Sequence, residues 1–325
     1  MGPDAHRVMS FLGMDPPRQT RLRALVSRGF TPRRVAELEG HIRELATHYI
    51  DRFIAAGKCD IISDFSGRLP MDVVSEMLGV PAEDRDMLRT WADLVVHREE
   101  GVPDVPPEGL AASGKLMAYF SDDVAGRRKR PRDSLTDALI AAKIDGDRMS
   151  DREIVAFLFL MIIAGNETTT KLIGNALYAL WRTPAQRARV AADPGLIPAW
   201  VEETLRFDGS TQVLYRTLTT EIELHGVTIP EESVVALILG SANRDERVFE
   251  RADEYDITRD HSQSVAFGNG AHFCLGASLA RLEGRVALEE IQARIPDYEI
   301  DPAGLVRIHS GNVRGYARVP IHFSA

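Results

Sequence analysis

Apolar residues recur at helical spacing through the first two thirds of the chain, and short apolar runs broken by turn residues take over afterwards. That pattern predicts helix after helix followed by short strands. Asp15-Pro16-Pro17 precedes a basic helix from about Thr20 to Gly29, and Thr31-Pro32 opens a long amphipathic one running toward Ala56. Shorter helical patterns cover Pro70 to Leu78 and Ala82 to Val96, after which the Pro/Gly-rich stretch Gly101 to Pro107 separates two helices as a loop or lid would. Ser150 and Glu153 form a capping box that opens a helix continuing to about Trp181. Its segment Ile154 to Gly165 is apolar all round, which marks a helix buried on every side. The apolar run stops at Asn166 and Glu167, short of the ~20 residues that span a bilayer. Strand patterns fall at Glu221 to Leu224, Ser233 to Leu239 and Arg318 to Phe323, with no internal repeat or low-complexity tract.

Length and composition narrow the setting. A chain of 325 residues with 44% hydrophobic content buries a substantial core as one large domain or two ordinary ones. No secretory signal opens it, and Cys59 and Cys274 cannot build a disulfide framework, so a reducing cytoplasm is the expected setting, with no membrane span. The net charge of −9 argues against nucleic acid as a partner. The cluster Arg127, Arg128, Lys129, Arg130 reads as a solvated loop before Pro131.

Candidate chemistry concentrates at Cys274, inside the run Phe267 to Gly276 (F-G-N-G-A-H-F-C-L-G). A lone cysteine is ordinarily a small hydrophobe. Here Gly268, Gly270 and Gly276 allow turns and the close approach of a flat ligand, and a helical pattern starts near Ala277. The positive end of that helix beside the sulfur favours the thiolate, the metal-binding form. One thiolate on a sparse loop suits an axial haem ligand better than zinc, which takes three or four protein ligands.

A second local conflict sits in the buried helix, where Ala164-Gly165-Asn166-Glu167-Thr168 is followed by Thr169 and Thr170. Glycine and β-branched residues are poor choices for a helix interior, and such conflicts tend to mark function. The bland alternative is that Gly165 allows tight helix packing while the Thr168 hydroxyl bonds a carbonyl one turn back. A third pattern, Glu203 and Arg206 three apart in E-E-T-L-R, shares a helix face and by itself reads as a commonplace exposed pair.

At these residues the chain resembles the cytochrome P-450 family of haem-thiolate monooxygenases, whose haem loop reads F-x-x-G-x-x-x-C-x-G; Phe267, Gly270, Cys274 and Gly276 match its four fixed positions. The resemblance extends over nearly the whole chain. It implies a mainly α fold with a small β portion, a single domain, and haem b (iron protoporphyrin IX) on Cys274. It makes A-G-x-[DE]-T the oxygen-activation motif, with Ala164 and Gly165 leaving room for dioxygen and Glu167 and Thr168 organising proton delivery. Glu203 and Arg206 become its structural E-x-x-R pair, joined by Arg259. Arg23, Arg216 and His272 match the family's contacts to the haem propionates, since cations suit carboxylates. By position, Leu160, Ile163, Ala164, Val213, Leu214, Asn312 and Val313 should face a substrate pocket for an apolar organic compound. Electrons would come from NAD(P)H through a separate ferredoxin or flavodoxin, because no flavin or iron–sulfur motif is present.

Two departures accompany the resemblance. Gln19 stands where many bacterial relatives carry histidine in D-P-P-x-H-x-x-x-R; it can bond a propionate but adds no charge. The family also places helices, strands and a substrate-contacting loop before the D-P-P helix, whereas Met1 to Met14 precede Asp15 here. The chain is therefore expected to be N-terminally truncated, to leave Ser233 to Leu239 with an open apolar edge, and to bind haem incompletely. Rival readings are a peroxygenase, which would dispense with the Glu167–Thr168 pair, a non-enzymatic haem sensor, and an inactive fragment. Met1 to Arg34 holds seven arginines against two aspartates, a local charge of +5 that would steer an acidic ferredoxin.

Overall fold

The computed structural model describes residues 6–102, 104–143 and 148–324, and the loop or lid expected from Gly101 to Pro107 includes one residue, Pro103, outside them. The architecture is mainly α with a small β portion. The helices are α1 (His6–Met9), α2 (Arg18–Ser27), α3 (Pro32–Ala36), α4 (Glu39–Asp51), α5 (Leu69–Leu78), α6 (Ala82–Val96), α7 (Pro107–Lys129), α8 (Leu135–Ala141), α9 (Asp151–Arg182), α10 (Pro184–Ala192), α11 (Ile197–Phe207), α12 (Leu239–Ala242) and α13 (Ala277–Arg294). The strands are β1 (Lys58–Asp60), β2 (Val213–Thr217), β3 (Ile222–Leu224), β4 (Val227–Ile229), β5 (Val234–Ile238), β6 (Tyr298–Ile300), β7 (Val306–Arg307), β8 (Tyr316–Arg318) and β9 (Pro320–Phe323).

α9 is the axis of the molecule, and it forms for the reasons its sequence suggests. The Ser150 side chain accepts from the Glu153 N–H while Glu153 accepts from the Ser150 N–H, closing the capping box. Ile154 to Ile162 are all buried, and α5, α6, α7, α11 and α13 pack around this helix. By length and composition α9 could cross a membrane, contrary to the expectation from its apolar run alone, but 72% of its apolar window is buried inside the protein. Its apolar surface is thus consumed by neighbouring helices.

The predicted helix from Thr31 toward Ala56 is two helices. A tight turn, in which the Leu38 N–H donates to the Val35 carbonyl, redirects the chain so that α4 lies along α13. The basic cluster is corrected in part: Arg128, Lys129 and Arg130 are exposed, but the stretch to Lys129 is the end of α7 rather than a loop, and Arg127 is buried, donating to Asp123 at 2.6 Å, Asp137 at 2.7 Å and the Gly79 carbonyl at 2.6 Å. Gly79 caps α5 at φ +73, and a Cβ there would meet Ser134 at 2.7 Å.

Strands are short. β9 is sandwiched between β1 and β6, with Cys59 opposite Ile321 and Ile300 opposite the same residue. β2 pairs antiparallel with β5, placing Arg216 opposite Val235. Among the described residues β5 is bonded along one side only, and Val234, Leu237 and Ile238 are exposed.

Candidate active site

The middle of α9, the loop before α13, the middle of α2 and the segment after α11 converge on one cavity. Ala164, Gly165 and Thr168 line it from α9. The Thr168 hydroxyl donates to the Ala164 carbonyl at 2.8 Å, and a Cβ on Gly165 would sit 3.4 Å from Val74 of α5. Both features of the bland reading are therefore present, at residues that also face the cavity. Glu167 does not line it. One residue is a turn of about 100° on a helix, and that rotation sends the Glu167 carboxyl into the contact between α9 and α6. There its Oε2 lies 3.3 Å from Lys171 Nζ, one turn on, and its charge acts on Asp93 of α6.

The cysteine loop is held by its own backbone. The Cys274 N–H donates to the Phe267 carbonyl at 2.9 Å, and Phe273 N–H to the Gly270 carbonyl at 3.0 Å. Gly268 and Gly270 take φ of +71 and +68, left-handed values that favour glycine. Cys274 opens onto the cavity, and α13 begins at Ala277 as expected. The thiol itself runs against the expectation from the helix end: burial pushes it up, and the Gly276 N–H bond with the Arg23 and Arg281 charges offsets this only in part. Metal binding would have to displace that proton, as it does at other thiolate sites.

Positive groups gather at one side. Arg23 and His272 line the cavity, while Arg216 on β2 is close enough to act on His272. Burial first, and Arg216 second, lowers the His272 imidazole below its ordinary value, and its Nδ1 is buried without a hydrogen-bond partner. Buried polar atoms are normally satisfied, so an unpaired ring nitrogen between two guanidinium groups fits an anionic ligand. Gln19 is placed differently: buried outside the cavity lining, it donates to the Ala271 carbonyl at 2.7 Å and pins the cysteine loop to α2. Phe267 lies 4.5 Å beneath the Arg281 guanidinium and also lines the cavity, as do Gly268 and Gly276. A Cβ on Gly276 would meet nothing within 4 Å. The cradle thus has one free sulfur, an apolar floor and wall, and cations at the edge, which is a donor set for haem. Among the described residues no group of three or more His, Cys, Asp or Glu is placed to hold a bare metal ion.

Of the pocket residues expected from position, Leu160, Ala164 and Leu214 line the cavity. Ile163, Val213, Asn312 and Val313 do not. Val213 and Leu214 are neighbours on a strand, where successive side chains point to opposite faces, so only one of them can face inward. Ile163 is half-buried and packs on the hydrophobic core, Val313 is buried in a bridge to Thr211, and the Asn312 carbonyl accepts from the Gln212 N–H at 2.9 Å. Among the lining residues that sequence reasoning missed are Phe11, Phe30, Val74 and Glu283. Only Glu283 had a local signal, as a carboxylate on the inward, apolar face of α13.

Behind the loop, Glu203 and Arg206 are buried rather than exposed, joined by two 2.8 Å hydrogen bonds. Arg206 also donates to the carbonyls of Asn243, Ala252 and Glu254. Glu203 accepts from the Asp256 N–H at 2.8 Å and bonds His261 at 3.0 Å, while Arg259 Nε stands 3.8 Å away. His261, two residues past Arg259, had no signal in the sequence pattern.

The family model for Cytochrome P450 matches residues 115–193 and 195–294. A protein named cytochrome P450 123 in Mycobacterium bovis is 55% identical over 323 residues, covering 99% of this chain and 80% of its own length. The Vitamin D(3) 25-hydroxylase of Pseudonocardia autotrophica is 44% identical over 95% of this chain and 76% of itself. Among solved structures, CYP109E1 from Bacillus megaterium in complex with testosterone superposes with a TM-score of 0.91 at 33% identity, covering 97% of this chain and 83% of its own. The chain belongs to the cytochrome P450 family, and with it to the oxidoreductases that act as monooxygenases. Family membership implies a haem cofactor, dioxygen, an organic substrate and a redox partner.

Proposed function

We propose that this chain is a haem-thiolate monooxygenase that inserts one atom of dioxygen into an apolar organic substrate, with NAD(P)H electrons delivered by a ferredoxin or flavodoxin in a reducing cytoplasm. One observation carries the reading: the Cys274 sulfur and Thr168 line the same apolar cavity, with Arg23 and His272 at its edge. Cys274 would hold the iron of haem b, and Arg23, His272 and Arg216 would meet its propionates. When bound, that group supplies dioxygen activation, with the thiolate donating electron density. The protein's own part is to exclude water with Leu160, Ala164, Phe11 and Phe30, and to move protons through Thr168 and Glu167. Glu203, Arg206 and Arg259 brace the loop. The hydrophobic core runs without interruption from Phe11 to Ile321, which supports a single domain.

The substrate class is a bulky, largely apolar compound of steroid size. Support comes from the apolar lining, from the relative named Vitamin D(3) 25-hydroxylase, and from the testosterone held by CYP109E1. The reduced carbon monoxide complex of the haem-loaded chain should show the strongly red-shifted Soret band of thiolate ligation, and Cys274→Ser should abolish it. An unshifted, imidazole-like band in the parent would refute the assignment. Testosterone should shift the haem spectrum of the parent in a saturable way, and a flat titration would remove the steroid-sized class.

A further inference from the structure

Ser210 stands in the segment between α11 and β2, buried at the cavity wall. Its hydroxyl donates to the Thr168 carbonyl of α9 at 2.6 Å, and both residues line the cavity. The chain turns tightly enough for this because position 209 is glycine: a Cβ there would stand 2.4 Å from the Leu205 carbonyl. Further along α9, the Asn175 side-chain amide donates to the Asp208 carbonyl at 2.8 Å, so the segment follows α9 with an anchor at each end. On its other side the Arg314 N–H donates to the Ser210 carbonyl at 2.8 Å, Thr211 bridges Val313, and the Gln212 N–H donates to the Asn312 carbonyl. Ser210 therefore joins three parts of the chain: α9, the segment after α11 and the last loop. Asn175 lies outside the cavity lining, which leaves the Ser210 hydroxyl as the tie at the cavity itself.

We propose that Ser210 determines specificity: by tying the segment after α11 to α9 at Thr168, it fixes the spacing of two cavity walls and with it the bulk of ligand that the cavity holds well. The inference rests on the reading that this cavity takes haem and a steroid-sized substrate. It is independent of any proton role of Thr168, because the bond is to that residue's backbone. Leu160, Ala164 and Gly165 form the α9 wall, and Thr211 and Leu214 belong to the facing segment. A ligand broad enough to touch both walls depends on their spacing, since a gap of ~0.5–1 Å forfeits a quarter to a half of each contact's attraction. Walls already fixed also lose less freedom when they close on it. A small ligand that meets one wall, or the iron alone, draws nothing from the tie. Removing the hydroxyl strands no buried acceptor, because a carbonyl inside a helix also accepts from the N–H four residues on. Loss of the tie should therefore loosen the cavity without unfolding the chain.

Spectral titrations of the haem-loaded full chain test this with three probes: testosterone, androstenedione, in which the testosterone hydroxyl is a ketone, and imidazole, which binds iron directly. In Ser210→Ala both steroids should bind about fivefold more weakly, the fold-change that one ordinary hydrogen bond is worth. Imidazole should bind as it does to the parent, with haem content and the carbon monoxide spectrum kept. Ser210→Thr retains the hydroxyl and should restore the ratio of steroid to imidazole affinity. An unchanged ratio in Ser210→Ala would overturn the proposal while leaving the substrate class intact. So would weakening of testosterone alone, because Ser210 would then be bonding the ligand's hydroxyl rather than tying the walls. Equal weakening of all three probes would also overturn it, as the mark of general damage to the site. If the parent responds to imidazole and to neither steroid, the steroid-sized reading fails and the proposal falls with it.

Discussion

Glu203 and Glu283 are buried glutamates on two helices in contact, α11 and α13, yet they are handled in opposite ways. Glu203 is surrounded by donors: burial pushes its carboxyl up, but Arg206, His261 and the Asp256 N–H hold it below its ordinary value. Glu283 has one partner, Thr169, and burial pushes it up to about 8. Saturated with cations and N–H groups, the first is a fixed charge in a brace; starved of donors, the second stays neutral at the cavity wall. Donor supply, not burial, separates the structural carboxylate from the one able to hold a proton.

The largest expected effect comes from breaking the saturated side. Arg206→Ala leaves Glu203 as a buried charge without its main partner, and removing one member of a buried pair typically costs ~3–5 kcal/mol. Thermal unfolding should fall sharply and haem retention with it, because Arg206 also ties down the segment from Asn243 to Glu254. A melting temperature within a degree of the parent would show that the brace contributes nothing.

Next comes the lone donor of the starved side. Thr169→Ala removes the hydroxyl bonded to Glu283, and an unsatisfied buried polar group costs ~1–3 kcal/mol. The Glu283 carboxyl should then titrate still higher, since that bond lowers it. Infrared titration of the acid band reads the shift, and a downward move would reverse the assignment of donor and acceptor.

Glutamine substitutions turn the comparison into opposite pH profiles. Glu203 has a depressed native value, so its stabilisation is present above the ordinary carboxylate range and is lost as pH falls through the native value. Glu203→Gln should therefore flatten the acid side of the stability curve. Glu283 has a raised value: the unfolded chain releases this proton first, so stability falls as pH climbs from the ordinary range to about 8 and is level beyond. Glu283→Gln should gain on the parent across that window. Parallel profiles for the two variants would collapse the distinction.

The smallest effect belongs to charges exposed on the surface of α2 and its C-terminal end. Charge reversal at Arg21 or Arg28 should leave the fold unchanged while slowing reduction by an acidic ferredoxin at low salt, a difference that ionic strength erases. Rates insensitive to both salt and reversal would place the docking face elsewhere.

Local pattern alone determined much of this protein. The capping box and the apolar run specified α9, the glycines around Cys274 specified the loop, and three-residue spacing put Glu203 and Arg206 on one face, because each depends on residues within a turn or two of one another. The tertiary structure decided which partners those groups meet. It buried Glu203 and Arg206 and added His261, moved Arg127 from solvent into a network, and made Gln19 a pin for the loop. It also turned Glu167 toward Lys171 and away from the cavity that Thr168 lines. Such contacts join residues far apart in the chain, and periodicity carries information about which face a residue occupies but none about what the opposite face brings to it. Charge state follows those partners, so the division between brace and proton carrier arises only when the helices pack.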